Sequence, residues 1–207
     1  MKVKIKWIIF DFDEVISKSF YWYNMLFDEI DKKIKVDKEK GVRFLIKNSK
    51  YWFCHRWNEK QLLKKLNKYL RSSIPFSVFN KAIYKTILPN NDTIKIIKIL
   101  KKRKYKIGLL TDNPKIRTEK IVTNTKLKGL FNYTAGSSQI GKLKKDKSTF
   151  TYIIKALKTK PEEILFIDDN KDNCNCASIV GIKTLQFKLN KNNYRRLKKE
   201  LTKLNVL

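Results

Sequence analysis

The sequence predicts an α/β protein with a parallel β-sheet, and two features of the chain carry this prediction. Short apolar runs rich in β-branched residues alternate with helical patterns, above all after residue 104. Three of these runs end in carboxylate or hydroxyl side chains, which is typical of strand ends at the ligand-binding edge of such a sheet. Strands that are separated by helices in this rhythm form βαβ units, so the sheet is expected to be parallel.

The individual elements follow from local patterns. Residues 3–11 form an apolar run ending in Asp11, which predicts a buried strand. Residues 19–104 are expected to be mostly helical, because Leu62, Leu66 and Leu70 recur at helical spacing with lysines between them. Further strands are predicted at 105–110, 130–135, 164–167 and 182–187, and helices after the turn at 111–114 and at 148–157, 173–180 and 191–204.

Composition bounds the size of the protein and its partners. The 207 residues, 42 % of them hydrophobic, are enough for one sizeable domain or for one that carries a smaller inserted domain. The formal net charge of +29 fits nucleic acid, an anionic membrane surface or an anionic substrate as a partner. Only 7 of the 48 basic residues are Arg, however, and the lysines are spread along the whole chain. The positive charge is therefore explained better by a bias in composition than by a nucleic-acid partner.

Cysteine usage and hydropathy predict the compartment. Cys54, Cys174 and Cys176 have no zinc-binding spacing, and their odd number argues against a disulfide framework. No apolar run approaches the roughly 18 residues that a membrane-spanning helix needs. We expect a cytoplasmic protein without a membrane partner, and the sequence does not predict an oligomeric state.

Four carboxylates are expected to meet at the strand ends. Asp11 and Asp13 follow the first predicted strand, and Asp168 and Asp169 follow a later apolar run. Converging carboxylates repel one another unless a cation lies between them. Ligands that are oxygen atoms alone favour Mg²⁺ over zinc, so the sequence predicts a magnesium site.

Four segments resemble, in order and spacing, the motifs of the haloacid dehalogenase superfamily of phosphohydrolases. They are IIFDFDEVI at 8–16, IGLLTDN at 107–113, SSQIGKLKKD at 137–146 and ILFIDDNKDNCNCASIVGI at 164–182. The resemblance implies an α/β fold with a Rossmann-like, three-layer core around a parallel sheet, into which an all-helical cap is inserted. It places the catalytic core at 1–16 and 90–207 and the cap at 17–89.

The resemblance also implies a chemistry for these residues. Asp11 would be the nucleophile that forms an aspartyl-phosphate, and Asp13 would protonate the leaving oxygen and then activate water. Dehalogenases of the family lack this second acid, so Asp13 favours hydrolysis of a phosphomonoester, with a small phosphorylated metabolite as the substrate. The remaining implied roles are metal binding by Asp11, Asp13, Asp168 and Asp169 and phosphate binding by Thr111, Asp112 and Lys144.

Several of these assignments have alternatives. Lys142 could take the place of Lys144 as the phosphate-binding lysine, and Asp172 could take the place of Asp169 as a metal ligand. Glu14 stands where many members of the family carry Gly. The alternative functions are a phosphomutase, a basic nucleic-acid-binding protein and a phosphatase that acts on nucleic-acid ends.

The predicted cap carries two groups of aromatic residues, at 20–23 and 52–57. Aromatic residues at helical spacing are more typical of a core than of a substrate pocket. His55, the one histidine of the chain, is given no role. Substrate recognition is expected to lie in this stretch, which the motifs do not cover, so the sequence does not identify the substrate.

Overall fold

Five strands form one sheet in the computed structural model, which describes residues 4–19 and 21–207. Numbered in chain order, the strands are β1 (Trp7–Phe10), β2 (Lys106–Thr111), β3 (Tyr133–Gly136), β4 (Ile164–Asp168) and β5 (Lys183–Gln186). They lie in the order β3–β2–β1–β4–β5, and every neighbouring pair is parallel. The predicted α/β class with a parallel sheet is confirmed.

The helices fall into two sets, one between β1 and β2 and one that follows the later strands. The first set is α1 (Trp22–Asp31), α2 (Lys38–Phe53), α3 (Glu59–Leu70), α4 (Phe76–Lys85) and α5 (Asn91–Lys102). The second set is α6 (Lys115–Thr123), α7 (Ser137–Ile140), α8 (Lys147–Leu157), α9 (Lys171–Ile179) and α10 (Asn193–Lys203).

Helices cover both faces of the sheet, because its strands carry apolar side chains on both sides. Ile8 and Phe10 belong to a buried cluster that also contains residues of α5 and α10. Trp7 and Ile9 point to the opposite face and pack in a second cluster with residues of α8 and α9. These two clusters make the three-layer, Rossmann-like arrangement that the sequence predicts.

Helices α1 to α4 pack around a third hydrophobic cluster of their own. Leu62, Leu63 and Leu66 of α3 are buried in it, as their helical spacing predicts. A capping box fixes the start of α3, since Asn58 accepts a hydrogen bond from the Gln61 N–H and the Gln61 side chain accepts one from the Asn58 N–H. The all-helical unit is thus present between β1 and β2, while the domain limits at 16/17 and 89/90 stay a prediction.

The segment that enters the helical unit and the segment that leaves it lie side by side. Ser17 forms an antiparallel bridge with Pro89, so the two connections are paired near the carboxyl edge of the sheet. At the same edge the Ser137 hydroxyl donates a hydrogen bond to the Phe53 carbonyl at 2.9 Å. These contacts hold α1 to α4 over the residues that follow the strands.

Several element limits differ from the sequence prediction, among them the starts of β1, β3 and α9. β1 begins at Trp7 instead of residue 3, which lies outside the described residues. β3 begins at Tyr133 instead of residue 130, because Leu130 is buried in the core below the sheet before the chain becomes extended. α9 begins two residues early, because Asn170 caps it by accepting hydrogen bonds from two backbone N–H groups of its first turn.

The thiols of Cys54, Cys174 and Cys176 are free, and the first two are buried. Within residues 4–19 and 21–207, no helix combines the length and the hydropathy that crossing a membrane would require.

Candidate active site

Three neighbouring strands bring polar end residues to the carboxyl edge of the sheet. Asp11 follows β1 directly, Thr111 ends β2 and Asp168 ends β4. The Asp11 N–H donates to the Ile167 carbonyl at 2.8 Å, which holds the start of the loop after β1 against β4. Because β1 lies between β2 and β4, the three side chains meet at one place.

A buried lysine bridges two of these carboxylates. Lys144 Nζ lies 2.6 Å from Asp11 Oδ1 and 2.6 Å from Asp168 Oδ2, and only 2 % of its side chain is exposed. Lys142 instead reaches Asp146 at 3.7 Å and leaves 51 % of its side chain exposed. Of the two lysines that the sequence offers, the fold therefore brings Lys144 to the site.

Asp112 holds the loop that carries this lysine. Both oxygens of its carboxylate accept a hydrogen bond from the Lys144 N–H, each at 3.1 Å. Burial raises the pKa of Asp112, while the charge and the N–H of Lys144 oppose the rise. The Asp112 carboxylate is thus used on the Lys144 backbone, and phosphate binding by Asp112 stays a prediction.

Burial and the charges of neighbouring groups together set the pKa values of the centre. It raises the pKa of Asp11 well above the usual value; the charge of Lys144 opposes this rise and that of Asp168 adds to it. Burial alone would lower the pKa of Lys144, but the carboxylates of Asp11, Asp168 and Asp112 outweigh burial and raise it. Lys144 therefore stays positively charged, and the carboxylates around it outnumber it.

Three carboxylates are placed so that they could share a metal ion. Asp11, Asp168 and Asp169 each offer an oxygen, and these atoms lie within 4.8 Å of one another. Burial, together with the charges of Asp168 and Glu14, raises the pKa of Asp169 to about 6. A bound dication would relieve this excess of negative charge, and an all-oxygen donor set suits Mg²⁺. The residues present therefore fit a magnesium ion.

Two further candidate ligands lie outside this group of three. Asp172 is exposed in the first turn of α9, where its N–H donates to Asn170 Oδ1 at 2.8 Å. Arg117 binds both carboxylate oxygens of Asp13, at 2.7 and 2.8 Å. The position of the Asp13 carboxylate therefore does not support its predicted role as a metal ligand, because the guanidinium occupies it.

The residues after β4 orient Asp168. Its Oδ1 accepts hydrogen bonds from the Asn170 N–H at 2.8 Å and from Asn173 Nδ2 at 3.1 Å. These bonds fix one oxygen and turn Oδ2 towards Lys144. Asn173 belongs to the fourth motif, and its support of the carboxylate is a role that the motif alone does not reveal.

Two residues beside Asp13 could not be identified from the sequence. Arg117 of α6 is fully buried, and nothing in the sequence separates it from a solvent-facing charge on a lysine-rich chain. Asn113 donates through Nδ2 to Thr111 Oγ1 at 2.7 Å and to Asp13 Oδ2 at 3.0 Å. Asn113 lies inside the second motif, which could have drawn attention to it, whereas only tertiary structure identifies Arg117.

Several aromatic residues of the helical unit, among them Trp22 and Trp52, are buried in its core, whereas Tyr21 is exposed. Trp22 packs on Tyr23 and Trp52 with ring centroids 4.3 and 5.9 Å away. The Tyr23 hydroxyl is buried and finds no hydrogen-bond partner among the described residues. Burial raises the pKa of Tyr23, and the positive charge of Arg117 opposes this rise.

Within the described part of the chain, the remaining residues of the two aromatic groups add no site. His55 is exposed, and Phe20 lies outside the described residues.

One curated protein is similar over part of the chain. The drimenol cyclase drtB of Aspergillus calidoustus is 34 % identical over 58 residues. This match covers 28 % of the present chain and 11 % of that protein, so the chain spans only a small share of the relative's length.

Solved structures of low sequence identity share the fold. A predicted HAD-like family hydrolase from Porphyromonas gingivalis is 19 % identical, with a TM-score of 0.71 over 96 % of this chain and 98 % of that chain. A HAD family enzyme from Bacteroides thetaiotaomicron, in complex with magnesium and inorganic phosphate, is 18 % identical, with a TM-score of 0.70 over 93 % and 98 %. A 2-haloacid dehalogenase from Pseudomonas syringae is 14 % identical, with a TM-score of 0.64 over 97 % and 99 %.

The family itself follows from the sequence match along the chain. The family model of the haloacid dehalogenase-like hydrolases matches residues 5–201, which include the strand ends, Lys144 and the helical unit. The protein belongs to the haloacid dehalogenase-like hydrolases.

Proposed function

We propose that this hydrolase is a Mg²⁺-dependent phosphatase that cleaves a phosphomonoester of a small metabolite through an aspartyl-phosphate on Asp11. The observation that carries the proposal is the contact of Lys144 with Asp11 inside a cluster of three carboxylates. This arrangement combines a nucleophilic carboxylate, a fixed cation and oxygen ligands for a second cation. The magnesium and inorganic phosphate in the complex of the Bacteroides enzyme support it.

In the first step, one carboxylate oxygen of Asp11 attacks phosphorus, and the bond between phosphorus and the leaving oxygen breaks. Lys144 lies beside Asp11 and stabilises the charge on the phosphoryl oxygens. Thr111, which is fully buried at the end of β2, can donate a hydrogen bond from its hydroxyl group to the phosphoryl oxygens. A magnesium ion on the carboxylates supplies further neutralisation of phosphoryl charge when bound.

Proton transfer falls to Asp13, two residues beyond the nucleophile. Its carboxyl group gives a proton to the leaving oxygen, then takes one from the water that attacks the aspartyl-phosphate. Inorganic phosphate leaves and Asp11 is restored. A second acid at this position favours phosphoryl transfer over cleavage of a carbon–halogen bond, for which no leaving oxygen has to be protonated.

The burial of the site favours a small substrate. Asp11 is 6 % exposed and Asp168 is fully buried, with the helical unit held at the same edge of the sheet. A site closed in this way excludes water from the phosphoryl group, and the helical unit has to move for substrate to enter.

The proposal is tested by phosphate release from a panel of phosphorylated metabolites, with Mg²⁺ or with EDTA. We expect turnover that needs the metal, and Asp11→Asn should lower kcat by more than about 10³-fold because the nucleophile is lost. Asp172→Asn is the matched control, since Asp172 is an exposed carboxylate outside the cluster.

Two results would contradict this proposal. Undiminished turnover by Asp11→Asn would remove Asp11 as the nucleophile. Absence of any phosphate release from folded protein that binds Mg²⁺ would reject the phosphatase activity on this class of substrates.

A further inference from the structure

We propose that Arg117 is the positioning residue of Asp13 and that, together with Asn113, it makes Oδ1 the oxygen through which Asp13 exchanges its proton. This inference rests on the proposed phosphatase activity. It assigns a role to a residue outside the four motifs, and it names the atom of Asp13 that faces the leaving group.

Every N–H of the Arg117 guanidinium has an acceptor, which fixes the plane of the group. Nη1 donates to Asp13 Oδ2 at 2.7 Å and to Asn113 Oδ1 at 2.6 Å. Nη2 donates to Asp13 Oδ1 at 2.8 Å and to the Thr86 carbonyl at 3.4 Å, and Nε donates to Thr86 Oγ1 at 3.1 Å. These bonds use all five donors of an arginine, and a lysine in this place could supply at most three.

The guanidinium is also enclosed by aromatic rings. It lies 4.5 Å from the ring centroid of Trp22 and 5.4 Å from that of Phe12, and Arg117 is fully buried. Phe12 lies between the two catalytic aspartates in the chain, and Trp22 belongs to the helical unit. The contacts therefore tie Asp13 to the packing of the helical unit against the core.

The acceptor sites of Asp13 are used unequally. Oδ2 accepts from Arg117 Nη1 and from Asn113 Nδ2, whereas Oδ1 accepts only from Arg117 Nη2 among the described residues. An ionised carboxylate offers about four acceptor sites, so the one left unused lies on Oδ1. Since 23 % of the Asp13 side chain stays exposed, Oδ1 is the oxygen that can meet a leaving group or a water.

A positioning role and a purely structural role predict different kinetics. A misplaced Asp13 slows the cleavage of substrates whose leaving oxygen needs a proton, such as alkyl phosphates. It has much less effect on the release of 4-nitrophenolate, which departs without a proton. Because Asp13 also activates water in the second step, which both substrates share, only the rate of the first step separates the two roles. A structural defect would lower that rate for both substrates by the same factor.

The experiment compares Arg117→Lys and Arg117→Ala with the wild-type protein on the best alkyl phosphate of the panel and on 4-nitrophenyl phosphate. We expect the single-turnover rate at which the alcohol leaves the alkyl substrate to fall by about 10²-fold or more. For the release of 4-nitrophenolate in the same single-turnover measurement we expect a loss of less than about 10-fold. Millimolar guanidinium should restore part of the alkyl rate of Arg117→Ala, and KCl at equal ionic strength should not.

Arg196→Ala is the matched control, because Arg196 also lies over an aromatic ring, that of Phe187, but is only half-buried on α10 and donates to the Lys188 carbonyl instead of a carboxylate. If the Arg117 variants fail to fold, Thr86→Val replaces them, since it removes the acceptor of Nε–H and keeps the guanidinium. It should show the same substrate-dependent loss on a smaller scale.

The outcomes separate this inference from the proposed function. If the wild-type protein releases phosphate and the Arg117 variants lose the first-step rates on both substrates by the same factor without guanidinium rescue, Arg117 is structural and the inference is overturned. If the wild-type protein releases no phosphate from either substrate, the proposed function fails instead.

Discussion

Lys144 offsets part of the negative charge of the site by contacting two buried carboxylates at once. Its ammonium lies 2.6 Å from both Asp11 and Asp168, in a place from which water is largely excluded. Removing one partner of a buried ion pair leaves an unpaired charge behind, which is more costly than losing an exposed pair. Lys144 therefore stabilises the fold of its loop, and under the proposed phosphatase activity it would also stabilise the transferred phosphoryl group.

Lys144→Met keeps most of the length of the side chain and removes its charge. We expect kcat for the best substrate to fall by about 10²- to 10³-fold, because the transition state loses a fixed cation. Lys142→Met, two positions away and exposed, is the control and should keep kcat close to that of the wild-type protein. Steady-state kinetics checks both variants, and an equal loss in the two would contradict the assignment of Lys144.

The carboxyl groups of the centre predict how stability depends on pH. The pKa of Asp169 is raised from 3.8 to about 6, and burial raises those of Asp11 and Asp112 in the same direction. Between the two Asp169 values the folded state holds more protons than the unfolded state. The free energy of unfolding of the metal-free protein should therefore fall as the pH rises from about 4 to about 6.

Urea denaturation in EDTA and in Mg²⁺ at several pH values measures this effect. We expect the stabilisation by Mg²⁺ to be small near pH 4 and to grow above about pH 6, because the ion needs ionised carboxylates and binds only the folded site. Asp169→Asn should flatten the part of the EDTA curve between these values. A Mg²⁺ effect that is equal at both ends of the range would speak against a carboxylate metal site.

Among the helices, α1 and α2 pack closely because α2 carries a glycine at their contact. A Cβ atom at Gly41 would lie 2.3 Å from ring atoms of Phe27, which is fully buried in the cluster of the helical unit. Helix propensity alone would favour Ala over Gly by about 1 kcal/mol. The close approach of the ring opposes this gain, so packing decides the residue at position 41.

Gly41→Ala should lower the free energy of unfolding by about 1–3 kcal/mol, because the ring of Phe27 has no room to move away. Lys47→Ala on the exposed side of α2 is the control and should leave stability unchanged or slightly higher. Chemical denaturation followed by circular dichroism gives both values. Stabilisation by Gly41→Ala would show that α1 and α2 can separate without cost.

At the scale of the whole molecule, the net positive charge is not explained by the site at the strand ends. The chain has 48 basic and 19 acidic residues, and two separate cavities are each lined with several lysines. A basic surface of this kind binds polyanions through their charge alone. This distribution fits a general positive field better than one dedicated nucleic-acid surface.

We expect an oligonucleotide to bind at low salt and the logarithm of its binding constant to fall linearly with the logarithm of the salt concentration. Heparin, a polyanion without bases, should compete with it at equal charge. Fluorescence anisotropy across a salt series provides the measurement. Selective binding of one nucleic acid that persists at high salt would instead indicate a dedicated partner.

The sequence by itself determined the parallel sheet, the helical unit between β1 and β2 and the carboxylates at the strand ends. Buried apolar runs and helical periodicity are local signals, and parallel strands must end at the same edge. It also contained Lys144, Asp168 and Asp169 at spacings that the family motifs describe. These properties depend on residues that are near one another along the chain.

Tertiary structure alone decided which side chains meet. Arg117 lies 104 positions from Asp13, and no local pattern tells a buried arginine from an exposed one. The choice of Lys144 over Lys142 likewise depends on which of two neighbouring lysines turns inward. Such pairings are fixed by packing and by the need to satisfy buried charges, so they become visible only when distant segments of the chain are brought together.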